Sequence, residues 1–303
     1  MNNNNLITVV GPTAIGKTSL SIKLAQYFNT EIISADSRQF FKEMQIGTAA
    51  PSSVELHQAT HHFIHHKSIH EEYSVGHFEK EAISCLNQLF RNYQEVIMVG
   101  GSGLYVDAVT HGLDNFPKVD SKIRESLNTS LKNEGFEILQ SQLKELDLDT
   151  YNVIDIQNPQ RVIRALEICI GTNKPFSSFK NRNNIKRNFN TIYIGLTANR
   201  DIIYDRINKR VDLMIENGQL EEAKKLYEFK NLNALNTVGY KELFNYFDGE
   251  WSLDFAISEI KKNTRRFAKR QLTWFKKNKQ IIWFDYQDDF KRITDEIKKQ
   301  ITS

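Results

Sequence analysis

Residues Gly11-Pro12-Thr13-Ala14-Ile15-Gly16-Lys17-Thr18 directly follow the apolar run Leu6-Ile7-Thr8-Val9-Val10. A G-x4-G-K-T segment between a strand and a helix confines the start of the chain to one kind of local structure. It is a loop whose successive backbone N–H groups turn inward on an anion. Gly11 and Gly16 permit that curl. Lys17 adds a point charge for a terminal phosphate, and the Thr18 hydroxyl is a ligand for Mg²⁺. A helix expected from about Ser19 to Phe28 directs its positive end at the same anion. The pattern specifies a di- or triphosphate and does not specify ATP. The competing reading is a Gly-rich turn with an incidental lysine.

The rest of the chain sets the frame for that loop. Its 303 residues are 40% hydrophobic and 25% charged, enough for a core that folds without staples. Cys85 and Cys169 form no C-x-x-C pair or disulfide framework, which points to a reducing cytosol. Met1–Asn5 lacks the charged and apolar regions of a signal peptide. No apolar run approaches the roughly 20 residues that span a bilayer. A cytoplasmic location without a membrane partner is therefore expected.

Net charge is +3, but Lys261–Lys279 alone contributes nine basic residues and no acidic one, leaving the remainder net negative. A concentrated basic helix on a nearly neutral chain points to a polyanionic partner at a defined place. Ile257, Ile260, Thr264, Phe267, Ala268, Gln271 and Phe275 fall on its packed side. Lys262, Arg265, Arg266, Lys269, Arg270, Lys276 and Lys277 fall on the other. An RNA-binding helix, a membrane-surface helix and a solvated face all fit that pattern. The helix leads into the last strand, which disfavours a detachable anchor.

Short β-rich runs alternate with helical stretches. Candidate parallel strands are Leu6–Val10, Glu31–Ala35, Glu95–Val99, Thr191–Leu196 and Gln280–Phe284. The pattern predicts an α/β fold: a P-loop NTPase-like, doubly wound parallel sheet with an inserted helical lobe. Residues 1–113 and 191–303 are assigned to the catalytic core and 114–190 to the lobe, which ends in the basic, Asn-rich link Lys180–Asn190. Gly47–His77 lacks clear periodicity and reads as a long loop or small insert.

The second strand runs into Asp36-Ser37-Arg38-Gln39, so Asp36 stands at a carboxyl strand end near the phosphate loop. A carboxylate there can act as a general base, bind Mg²⁺ or orient a substrate hydroxyl, and it can equally be a helix cap. The third strand ends in Gly100-Gly101-Ser102-Gly103 where a phosphate-loop ATPase commonly carries a metal-binding Asp. Small residues there suggest close approach of backbone to a bulky ligand. Asn158-Pro159 opens a helix, with Val162, Ile163, Leu166 and Ile170 on one face and Arg161 and Arg164 on the opposite one. Such paired arginines suit phosphate or RNA backbone, or a solvated face. Seven of the eight histidines lie within His57–His77, without cysteines or a clean H-x3-H pair, so adventitious metal affinity is favoured over a zinc site.

Together these segments resemble the tRNA dimethylallyltransferase (tRNA isopentenyltransferase) family. The resemblance rests on Gly11–Thr18, Ser34–Gln39, Ile46–Pro51, His61–Ile64, Tyr73–Phe78, Gly100–Tyr105, Asn158–Leu166, Val238–Glu242 and Thr264–Trp274, in the family's order. It implies transfer of a dimethylallyl group from its diphosphate to N6 of the adenosine immediately 3′ of the anticodon in tRNA. The loop then holds diphosphate, consistent with the missing metal carboxylate on the third strand. It implies Asp36 as general base, with Lys17 and Ser102 as further catalytic groups. Gly11–Thr18 hold the diphosphate, Thr18 carries Mg²⁺, and Arg206 and Arg210 add a clamp. Contacts to the tRNA anticodon stem-loop carry over to Asp36, Ser37, Arg38, Gln39, Ser102, Arg124, Gln160, Arg161, Val162, Ile163 and Arg164. A monomer is expected. Ala50 and His65 depart from the family's usual Lys and Asp, and no C2H2 finger pattern is found, as in the shorter bacterial form. The competing activities are adenylate isopentenyl transfer to free AMP, an ATP-dependent small-molecule kinase, and a noncatalytic RNA-binding protein.

Overall fold

Runs of Val, Ile and Leu with no polar alternation form strands buried on both faces. Residues Leu6 through Val10 and Val96 through Met98 are wholly buried. In the computed structural model, which describes residues 4–180 and 186–302, these runs are the centre of one sheet. Its strands are β1 (Asn5–Val10), β2 (Ile32–Ser34), β3 (His61–His62), β4 (Glu95–Gly100), β5 (Asn190–Thr197) and β6 (Ile282–Asp285). Their order is β3-β2-β4-β1-β5-β6, every pairing parallel. The tips of the central strands lie level, with Val10 opposite both Gly100 and Gly195. β1 leads out towards β2 and β3 on one side, and the chain later crosses to β5 and β6 on the other. The ligand crevice of such sheets opens at that reversal.

Thirteen α-helices are described: α1 (Lys17–Phe28), α2 (Ser53–Gln58), α3 (Val75–Leu89), α4 (Gly103–Thr110), α5 (Ser121–Asn133), α6 (Phe136–Leu146), α7 (Leu148–Val153), α8 (Pro159–Thr172), α9 (Arg200–Glu216), α10 (Gln219–Leu226), α11 (Tyr240–Phe247), α12 (Leu253–Phe275) and α13 (Phe290–Thr302). Alternation along the strands sorts them into layers. Ile7, Val9 and Ile97 pack with Leu20 and Leu24 of α1, Ile203 of α9 and Ile297 of α13. Leu6, Val10 and Met98 point the other way, towards Phe78 and Leu86 of α3 and Val106 of α4. Burying these side chains contributes about 1.5–3 kcal/mol each for the larger aliphatics.

The stretch Gly47–His77 is not a featureless loop. Ser52 and Glu55 form a reciprocal capping box that starts α2. His61 and His62 add a short edge strand by pairing with Ile32 and Ile33. The predicted last strand begins two residues late, at Ile282.

The described residues divide into two compact units, within Met1–His111 and Lys186–Ser303 in one and Gly112–Ile185 in the other. The second unit is helical, with its own core of Leu139, Leu143, Val162, Ile163 and Leu166. Asp147 fastens it, accepting the N–H and hydroxyl of Thr150 (2.9 and 2.6 Å) and those of Ser177 (2.7 and 3.0 Å). Within the basic link Lys180–Asn190, residues 181–185 lie outside the described residues.

Candidate active site

The phosphate loop is built where β1 ends. Gly16 has φ +109°, a conformation that a Cβ would strain, and caps α1 with no side chain of its own. Ala14 also sits in the left-handed region, at φ +63°. Its carbonyl accepts from Arg206 Nε at 2.7 Å. Arg210, one turn further along α9, donates to Thr13 Oγ1 at 3.3 Å and to the Ala49 carbonyl at 3.1 Å. Both arginines expected to clamp the loop therefore touch it.

Lys17 Nζ donates to the Pro12 carbonyl at 2.7 Å, inside its own loop. Burial and then the charge of Arg210 push its pKa down to about 7, against the opposing pull of Asp36. Gln271 of α12 is 6% exposed. Its side chain accepts the Thr13 N–H at 2.8 Å and donates to the Gly101 carbonyl at 2.9 Å. Gln271 ties the phosphate loop to the turn after β4, a role beyond the packing expected of it from the sequence. A buried amide on an otherwise apolar helix face was the available signal, since such a group must find partners.

Asp36 stands one residue past the buried Ala35, beyond the end of β2. Its Oδ1 accepts the N–H of Arg38 at 3.0 Å and of Gln39 at 3.4 Å. No helix starts at Asp36, so the helix-cap reading is corrected: the carboxylate closes a turn, and that turn fixes its direction. Ser102 accepts the Ser37 N–H and donates to the Ser37 hydroxyl, each at 3.2 Å. Arg38 donates to the carbonyls of Asn233 and Ala234, both at 3.0 Å. Gln39 donates to the Ala49 carbonyl at 3.2 Å. Arg38 and Gln39 are engaged in holding the loops around the crevice.

The glycines at the end of β4 have a cause within the protein itself. A Cβ at Gly100 would strike the backbone of Ala35, one at Gly101 the side chain of Gln271, and one at Gly103 the ring of Trp274. Close approach of parts of the protein to one another therefore requires glycine at these positions.

A cavity of about 400 Å³ joins these pieces. Thr13 and Arg210 line it together with Asp36, Ser37, Arg38 and Ser102. The remaining wall is mixed: Ile207, Val211 and Met214 of α9, Val238, Ile260 and Phe267 give it an apolar part, and Lys241, Arg270, Asn236 and Thr237 a polar one. Phe267 was expected on the packed side of α12; it is 38% exposed and faces the cavity. One space therefore offers cationic groups, a fixed carboxylate and an apolar patch, at a size that holds a small ligand.

The family described as IPP transferase matches residues 39–278. A protein named tRNA dimethylallyltransferase from Christiangramia forsetii is 62% identical over 300 residues, 99% of both chains. The chain belongs to the IPP transferase family. The crystal structure of a full-length tRNA isopentenylpyrophosphate transferase from Bacillus halodurans superposes with TM-score 0.72 at 39% identity, covering 99% of this chain and 96% of that one. A eukaryotic dimethylallyltransferase acting on tRNA gives TM-score 0.77 at 29% identity, covering 94% and 74%. The fold expectation of a P-loop NTPase-like parallel sheet agrees with these relatives.

In this IPP transferase the residues expected to meet RNA are not all at the surface. Gln160 and Arg161 are exposed at the start of α8, where Asn158 caps their N–H groups at 3.1 and 3.3 Å. Val162 and Ile163 are wholly buried in the helical unit's core. The expectation that they touch tRNA is corrected to this extent: their side chains hold α8 in place. Arg164 donates to Glu167 at 2.9 Å and lies over Phe116, while Arg124 reaches the same Glu167 oxygen at 3.4 Å. Glu167 brings Arg124 and Arg164 together, a link the spacing of Arg161 and Arg164 did not suggest.

The basic face of α12 is likewise divided. Lys261 pairs with Asp212 at 2.6 Å, Lys262 with Glu259, and Arg265 donates to Asn208 at 2.7 Å. Arg266, Lys269 and Arg270 are exposed, as are Lys276 and Lys277 just past the helix end. Among the described residues no group of three or more His, Cys, Asp or Glu is arranged to hold a metal, the histidine-rich stretch included. His62 instead bonds Glu31 at 2.6 Å, and His66 packs edge-on against Phe40, Phe63 and Tyr73. No described helix is long and apolar enough to cross a membrane.

Proposed function

We propose that this transferase moves the dimethylallyl group of dimethylallyl diphosphate to N6 of the adenosine immediately 3′ of the anticodon in tRNA. The observation that carries this reading is one cavity shared by Thr13, Arg210, Asp36 and Ser102, with an apolar patch of Ile207, Val211, Met214, Ile260 and Phe267 on part of its wall. An allylic diphosphate has the matching halves, a dianionic or trianionic head and a small hydrocarbon tail. The relatives named for tRNA support that acceptor over free AMP.

The N6 lone pair of adenine is delocalised into the ring, so the amine is a weak nucleophile. As it bonds to C1 of the allyl group, the C1–O bond breaks and the electron pair leaves with diphosphate. The amine must lose a proton, and Asp36 is the positioned acceptor, its direction fixed by two backbone N–H groups. The loop N–H groups, Lys17, Arg206 and Arg210 take up the charge that grows on the leaving diphosphate. Ser102 holds Ser37 and thereby the turn that carries Asp36.

The donor set at the loop fits Mg²⁺ as a companion of the substrate. Thr18 offers one hard hydroxyl oxygen, and diphosphate and water supply the rest, the usual manner in which Mg²⁺ is held. When bound, the ion would neutralise charge on the leaving group. The adenine has to leave its stack to reach Asp36, which anticodon-loop bases do readily. Exposed Gln160 and Arg161, with Arg124 and Arg164, are the helical unit's contribution to RNA binding in this reading. This reading takes the enzyme to be a monomer in the cytoplasm.

Incubation with dimethylallyl diphosphate, Mg²⁺ and unmodified tRNA, followed by mass spectrometry of the nucleosides, tests the reading. A C5 unit on one adenosine per tRNA is expected. Transfer to AMP in place of tRNA, or movement of the γ-phosphate of ATP to a small molecule, would overturn it.

A further inference from the structure

The turn that follows Met44 is fastened from behind by one carboxylate. Glu222 of α10 accepts the N–H groups of Gln45 and Ile46 on Oε2, both at 2.9 Å, and that of Gly47 on Oε1 at 2.8 Å. Tyr240, wholly buried, donates its hydroxyl to the same Oε1 at 2.6 Å. A carboxylate has about four lone-pair positions, and here all four are used. The turn has one seat, because a Cβ at Gly47 would collide with the Tyr240 ring. Glu222 itself does not line the substrate cavity.

The turn ends at Ala49, in a left-handed conformation at φ +46°. Its carbonyl accepts from Arg210 at 3.1 Å and from Gln39 at 3.2 Å. The other arm of Arg210 reaches Thr13 in the phosphate loop. Arg210 thus has two fixed acceptors, one in the loop that holds the anion and one on the turn that Glu222 secures. A guanidinium with two anchors is pre-organised and loses less freedom on binding an anion.

We propose that Glu222 is a positioning residue of the diphosphate site: by seating the turn 45–49 it aims the Ala49 carbonyl and so holds Arg210 beside Thr13. This rests on the reading of the loop as a diphosphate site. Glu222→Gln keeps the shape but replaces one acceptor oxygen by an NH₂ that opposes the N–H groups it faced. Tyr240→Phe is the milder variant, removing one donor and leaving the three backbone bonds.

The experiment measures inorganic diphosphate and dimethylallyl diphosphate affinity by calorimetry, with tRNA affinity and melting temperature alongside. Wild-type protein that binds neither diphosphate overturns the reading of the loop itself. Given wild-type binding, Glu222→Gln is expected to weaken both diphosphates about tenfold, and Tyr240→Phe about two- to threefold, with tRNA affinity changed less than twofold. KM for dimethylallyl diphosphate rises accordingly, while kcat at saturation falls much less. In an Arg210→Lys background the Glu222→Gln loss should largely vanish, since both act through one guanidinium. Wild-type affinity in both variants, or losses that add in full across the double mutant, would overturn the proposal. If Glu222→Gln does not fold, Tyr240→Phe with and without Arg210→Lys decides it.

Discussion

Asp36 and Lys17 divide the chemistry between a proton and a charge, and each makes a separate prediction. Asp36→Asn keeps the amide-capped turn, because an Asn oxygen still accepts from Arg38 and Gln39. It removes only the proton acceptor. Prenyl transfer in single-turnover assays is expected to fall roughly 10²–10⁴-fold, with tRNA affinity nearly constant. Near-normal turnover would remove Asp36 from the base role. For Lys17, burial and Arg210 set a folded pKa of about 7, while the unfolded chain titrates near about 10.4. Between these values the unfolded state carries a proton that the folded state lacks, so the stability contribution of Lys17 rises with pH across that window. The melting-temperature advantage of Lys17→Met over wild type should therefore be largest near neutrality and shrink towards pH 10. A diphosphate beside the ammonium reverses the shift, so binding at pH 8 is accompanied by proton uptake. Calorimetry in buffers of different ionisation enthalpy reads that uptake, and Lys17→Met should abolish it. Binding with no proton uptake in wild type would contradict the lowered pKa.

At the scale of elements, legibility followed the physics of each signal. Strands such as Val96–Val99 were readable because burial on both faces demands an uninterrupted apolar run. The start of α8 was readable because Asn158 and Pro159 each have one mechanical role there. β3 was not readable: two histidines carry no periodicity, and only the neighbouring Ile32 and Ile33 make them a strand. The Ser52-x-x-Glu55 capping box was present in the sequence and is the signal that α2 offered. Phe267 was misplaced because helical spacing says which residues share a face, not whether that face meets core or cavity. The turn seated on Glu222 and the pairing of Arg124 with Arg164 through Glu167 depend on tertiary neighbours that spacing alone does not reveal. The same division of α12 yields a prediction. Lys269 is exposed, whereas Lys261 is already paired with Asp212. If α12 meets RNA phosphates, Lys269→Gln should reduce the slope of log K against log salt by about 0.7–0.9 and weaken all tRNAs alike. Lys261→Gln should leave that slope unchanged. Equal behaviour of the two variants would mean that RNA passes elsewhere.

At the scale of the whole molecule, the groups proposed for diphosphate and those of α8 and Arg124 proposed for RNA lie in separately packed units. Every group given a part in binding diphosphate or in accepting the proton lies within the unit that contains the sheet. The helical unit, by contrast, has its own core and its own buried carboxylate anchor at Asp147. The chain on either side of that unit is tied together inside the sheet unit: Arg187 donates to the Ala108 carbonyl at 2.7 Å and to Glu79 at 2.6 Å. The excision points are therefore held by contacts that removal of residues 112–185 does not touch. Loop closure by a short Gly-Ser linker adds little entropy, since the cost grows only slowly with length. A chain in which such a linker replaces residues 112–185 is expected to fold and to bind dimethylallyl diphosphate with wild-type affinity, measured by calorimetry. Its affinity for tRNA should fall by at least about tenfold, because the contacts of Gln160, Arg161, Arg124 and Arg164 leave together and phosphate contacts are each worth a substantial factor at physiological salt. Prenyl transfer should fall mainly through KM for tRNA, since the carboxylate and the anion site remain. A shortened chain that keeps full tRNA affinity would assign the RNA grip to the sheet unit. One that loses diphosphate binding while still folded would show that the helical unit completes the donor site.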